Sequence, residues 1–85
     1  MDIVTKHSFY IPRPLEPGVL HVSREFEMAL HICPCGCKEG VVTPLGEGQW
    51  TLTEVDNRPT LSPSISNAQT CKAHYWIRDG KIVHA

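Results

Sequence analysis

An 85-residue chain is one domain at most, and a domain that small buries only about 60% of the surface its unfolded chain exposes, so its core is thin. A hydrophobic fraction of 41% and a charged fraction of 20% suit a folded globular protein, while a net charge of −1 with Lys and Arg scattered singly argues against nucleic acid as a partner. No apolar run approaches the roughly 20 residues of a membrane span, and no basic-then-apolar leader opens the chain, so the expectation is a cytoplasmic protein with no membrane partner.

Residues 1–17 carry Pro12, Pro14 and Pro17, which fix φ and remove backbone donors; they read as an extended, Pro-rich N-terminal arm ahead of a domain over residues 18–85. The run from Gly18 to Ser23 alternates as a short strand does, and Ser23 is placed to cap a single turn through Arg24-Glu25-Phe26-Glu27. Met28 to Cys33 reads as a second strand, ending where Pro34 and Gly36 force a tight bend. Val41-Val42-Thr43 is a short β-rich run closed by Pro44. Trp50 to Val55 alternates large apolar residues with threonine, the period of a half-buried strand. After a turn at Asp56-Asn57-Arg58-Pro59, Thr60 to Ile65 is expected as an edge strand, because Pro63 has no N–H to give a central ladder. Tyr75-Trp76-Ile77-Arg78 and Lys81-Ile82-Val83-His84 flank Asp79-Gly80, the dipeptide of a type I′ turn, and form a C-terminal β-hairpin. No helical period persists, so the fold class is mainly β, or a small α+β domain, built of short antiparallel strands.

Small domains commonly supplement a thin core with a metal or disulfide, and in a reducing compartment clustered cysteines are more often metal ligands than disulfides. Cys33, Cys35 and Cys37 lie on the tight bend, and Cys71 and His74 form a C-x-x-H pair just before the hairpin. Zinc takes about four such ligands, usually as two close groups from distant segments. These five residues therefore imply a Zn²⁺ site with one ligand candidate to spare. A closed site would staple the fold of a protein-binding adaptor; an open one, with water in the fourth position, would be catalytic. A thiol-disulfide role for the C-x-C spacing is the third reading.

A catalytic site needs further groups. His31 precedes Cys33 by two residues and so shares its side of the strand. Glu25, Glu27 and Glu39 are the carboxylates nearest the cysteine run, from which a base would be drawn. Ser62 and Ser64 share one face of the Pro63 strand and offer hydroxyl donors. Trp50, Tyr75 and Trp76 are large for so small a core and serve either packing or a peptide-binding surface.

From Gly18 onward the run His-x-Cys-x-Cys-Gly-Cys, then Val-Val-Thr-Pro-Leu, Ser-Pro-Ser-Ile and Cys-x-x-His-Tyr-Trp-Ile-Arg-Asp-Gly, resembles a small prokaryotic family catalogued as domain of unknown function six-five-two-seven. The resemblance implies metal binding and, for some members, a setting beside bacterial ubiquitin-like proteins and their conjugating enzymes. It carries His31, Cys33, Cys35, Cys37, Ser62, Ser64, Cys71, His74 and Trp76 as motif positions. The implied role is a zinc-dependent peptidase that processes or deconjugates a ubiquitin-like protein.

Overall fold

Alternating apolar and polar residues organise the chain into eight strands. In the computed structural model, which describes residues 2–36, 39–67 and 73–84, they form two four-stranded sheets, with no helix among the described residues. Sheet one runs β1 (Val4–His7), β2 (Val19–Ser23), β3 (Met28–Ile32), β4 (Gly40–Pro44) in spatial order. Sheet two runs β5 (Thr51–Val55), β6 (Arg58–Asn67), β7 (Ala73–Arg78), β8 (Lys81–His84). Within each sheet, strands adjacent in sequence are adjacent in space, and every pairing is antiparallel except β1 with β2, which is parallel.

Local chemistry sets the turns. Asp79 and Gly80, with φ of 48° and 74°, join β7 to β8, and Asp56 and Asn57, with φ of 51° and 63°, join β5 to β6 in the same way. Gly80 is also a point of close approach: a Cβ there would sit 3.0 Å from Arg58 Cβ and 3.1 Å from the Ile3 carbonyl oxygen. That proximity allows the Gly80 N–H to reach Pro59 O (2.9 Å) and Ile3 N–H to reach Gly80 O (2.8 Å), tying the hairpin to the chain start. The turn expected after Ser23 is present, with Phe26 N–H donating to Ser23 Oγ (3.4 Å), and it links β2 to β3.

One strand is not where its proline placed it. β6 is central, between β5 and β7, and not an edge strand. The sheet accommodates Pro63 by breaking register: Leu61 pairs with Ile77 and Ile65 with Tyr75, so residues 62–64 stand opposite Trp76 alone. A bulge needs no ladder donor from its inserted residues, and this removes the objection to proline in a central strand.

A single core fills the space between the sheets. Leu20, Val22 and Ala29 come from sheet one, Leu52, Leu61, Ile65, Tyr75, Ile77 and Ile82 from sheet two, and Ile3 and Leu45 from outside the strands. At about 25 cal/mol per Å² of apolar area, each buried Val, Leu or Ile side chain among them contributes on the order of 1.5–3 kcal/mol. The outer faces of the two sheets differ. Val19, His21 and Ser23 point away from the core and are nonetheless buried, because residues 8–17 lie across them: Ser23 Oγ donates to Phe9 O (2.7 Å) and Glu16 N–H donates to His21 Nε2 (3.3 Å). Sheet two has an exposed outer face, with Thr51, Thr53, Ser62, Ser66, His74 and Arg78 open to solvent.

Candidate active site

On β7 the strand period sends Tyr75 and Ile77 into the core and leaves His74, Trp76 and Arg78 on the outer face. On β6, Ile65 is buried and its neighbour Ser64 faces outward. The bulge at residues 62–64 kinks β6 beside Trp76, and bulges re-aim the side chains they carry. Here the result is a hydrogen bond of 2.9 Å between Ser64 Oγ and His74 Nε2. The bulge is itself anchored: the Trp50 indole N–H donates to the Pro63 carbonyl at 3.0 Å, holding the residue directly before Ser64. Beside the pair, the His74 and Trp76 rings lie 5.5 Å apart at 32°, and the Arg78 guanidinium sits 4.9 Å from the Trp76 ring centroid.

The other expected site residues are elsewhere. His31 is in the core between the sheets, where its Nε2 pairs with the Tyr75 hydroxyl at 2.6 Å and its Nδ1 has no hydrogen-bond partner among the described residues. Burial pushes its pKa down to about 4, so it is neutral near pH 7. Cys33 is buried and Cys35 exposed, with their sulfurs 3.4 Å apart. Glu39 is exposed, and its carbonyl accepts the Cys33 N–H at 2.8 Å. Ser62 is exposed on the bulge and makes no hydrogen bond to His74. Cys37 and Cys71 lie outside the described residues. Among the described residues, no three His, Cys, Asp or Glu side chains are grouped so as to hold a metal ion.

A hydroxyl hydrogen-bonded to an imidazole, with a surface open to a peptide, is the nucleophile and base arrangement of serine hydrolases. The chain belongs to the bacterial ubiquitination-like system serine protease (BubE) family, which matches residues 7–85. Membership in such a system implies a ubiquitin-like partner. No curated protein and no solved structure matches the chain.

This family corrects the zinc expectation. A serine protease attacks with a side-chain hydroxyl instead of a metal-activated water and needs no metal cofactor, so the zinc-dependent hydrolase reading, the structural-zinc adaptor and the description as a metal-binding family are all set aside. The assignment of Cys33, Cys35, Cys37, Cys71 and His74 as a Zn²⁺ ligand set goes with them. The C-x-x-H spacing drew His74 toward the cysteines, whereas its Nε2 faces Ser64 across two paired strands. The signal that separates these was present in the alternation of Tyr75 and Ile77 with His74 and Trp76, which puts His74 on an exposed sheet face. Its pairing with Ser64 depends on the register of β6 against β7, and the bulge hides that register.

Proposed function

We propose that this protein is a serine peptidase acting on a ubiquitin-like protein or its conjugates, with Ser64 as nucleophile and His74 as general base. The observation that carries the reading is the 2.9 Å contact between Ser64 Oγ and His74 Nε2, the same ring nitrogen that takes the proton in serine protease triads. Ser64 Oγ attacks the scissile carbonyl carbon while His74 Nε2 takes its proton. The imidazolium then protonates the leaving amine as the C–N bond breaks, leaving an acyl ester on Ser64. Water, deprotonated by His74, hydrolyses that ester and restores both groups. The exposed face of sheet two suits a flexible chain segment laid over the strands, such as the tail or linkage of a ubiquitin-like protein. A reducing, cytoplasmic setting suits a chain with four cysteines.

The test is incubation of wild type, Ser64→Ala and His74→Ala with a precursor or conjugate of a ubiquitin-like protein, with and without a chelator. The expected result is cleavage by wild type that the chelator leaves unchanged and that both substitutions abolish. Cleavage by Ser64→Ala at the wild-type rate would sink the assignment.

A further inference from the structure

Serine proteases of the triad type hold the imidazole with a carboxylate on its second nitrogen, which fixes the tautomer and the ring orientation. This chain has nine Asp and Glu side chains, all among the described residues, and none hydrogen-bonds to His74. Several are engaged elsewhere: Asp2 with Lys81, Glu16 with Lys6, Glu54 with His7 and Asp79 with Arg58. The orientation of an exposed imidazole with two free torsions must come from another source.

Trp76 supplies one. It lies two residues beyond His74 on the same face of β7, its ring 5.5 Å from the imidazole and 32° from parallel. Its backbone stands directly opposite the bulge that carries Ser64, so the residue beside the imidazole is also the one the bulge faces across the ladder. Its own position is fixed from the far side along the strand, where the Arg78 guanidinium lies 4.9 Å from the indole centroid, and across the ladder, where Val83 is its partner on β8. The run His74, Trp76, Arg78 is a stack in alternate positions of one strand, with the catalytic base at one end. A flat indole beside the imidazole limits ring rotation, and its negative π-face favours the imidazolium that forms when Ser64 gives up its proton.

We infer that Trp76 is a positioning residue that holds the His74 ring toward Ser64 in place of a carboxylate, with Arg78 pinning the indole. The inference rests on the Ser64–His74 reading. Its test uses two probes, a dialkyl fluorophosphonate that reacts with an activated serine and a ubiquitin-like precursor, on wild type, Trp76→Ala, Trp76→Phe, Arg78→Ala and Ser64→Ala. Trp76→Ala is expected to slow fluorophosphonate labelling at saturation and to lower kcat for the precursor, each by about 10²-fold, the scale of a misplacement near 1 Å, with KM within about twofold of wild type. Trp76→Phe restores most of the rate, because a flat ring is returned, and Arg78→Ala costs a few-fold at most. A rise in KM with unchanged kcat and unchanged labelling would make Trp76 a substrate contact and overturn the inference, as would equal kcat for Trp76→Ala and wild type. Failure of the underlying reading looks different: Ser64→Ala would still label and still cleave. Should Trp76→Ala lose its cooperative thermal transition, the comparison of Trp76→Phe with Trp76→Leu, similar in bulk but without a π-face, decides; equal kcat for these two counts against the inference.

Discussion

The two sheets bury the same core between them and treat their outer faces oppositely. Sheet one is roofed by the Pro-rich segment, so that His21 and Ser23, polar residues on its outward side, are almost wholly buried and spend their hydrogen bonds on the backbone of residues 9 and 16. Sheet two has no such cover among the described residues, and its outward polar residues are open to solvent and, in the case of Ser64 and His74, bonded to each other. Similar residue types therefore do structural work on one sheet and are available for chemistry on the other. What distinguishes them is whether another part of the chain satisfies them first.

The sharpest way to break this contrast is to remove the pair on the open face. Ser64→Ala and His74→Ala are each expected to reduce cleavage by at least about 10³-fold in steady-state assays. The midpoint of urea unfolding should shift by no more than about 0.5 kcal/mol equivalent, because an exposed face contributes little to the fold. A large stability loss in either variant would mean that the open face is structural after all. The next effect belongs to the core under that face. His31 has its pKa lowered by burial to about 4 from an ordinary 6.5, so the unfolded chain takes up the proton first. Its stabilising contribution is complete above pH 6.5 and is lost as pH falls toward 4, by up to about 3 kcal/mol. Urea titrations between pH 7 and pH 4 should show this slope, and His31→Asn should flatten it.

Smaller changes sharpen the comparison further. Trp50→Phe removes the N–H that holds the Pro63 carbonyl, a bond of about 1 kcal/mol, and should lower kcat several-fold by loosening the bulge while leaving KM near wild type. The matching change on the roofed face is Ser23→Ala, which leaves the Phe9 carbonyl without its 2.7 Å donor. Its expected cost is about 1 kcal/mol of stability by thermal melting, with cleavage at the unaltered wild-type rate at a temperature where both proteins are folded.

The parts of this molecule legible in the sequence are those set by neighbours. The Asp79-Gly80 hairpin, the Ser23 turn, and the strands at residues 19–23, 28–32 and 51–55 each follow from alternation and turn chemistry over fewer than ten residues. β1 was hidden because its partner, β2, lies beyond three prolines and is paired in parallel, which no local pattern announces. The sequence points β6 to an edge because Pro63 carries the same local penalty whether a bulge absorbs it or not. Within the site, sequence pattern marks both Ser64 and His74, yet it offers the hydroxyl no base and assigns the imidazole to the cysteines. Cys71 and His74 are close in sequence and made a persuasive motif, while Ser64 and His74 meet only through strand register.

That register has a consequence for how the chain is wired. The proposed nucleophile and base are ten residues apart and sit on two strands that pair directly, while Trp76 and Arg78 lie on β7 and Trp50 stands just before β5. Every group named in the chemistry thus falls in residues 50–78, and residues 2–45 supply its backing wall and the roof of the other sheet. New connections, extensions or fusions made through the exposed Gly46–Gln49 loop would interrupt neither the β6–β7 ribbon nor the sheet-one roof. The protein is in this sense a strand pair with a support attached, and the contact between Ser64 and His74 depends on one local alignment more than on the closure of the whole chain.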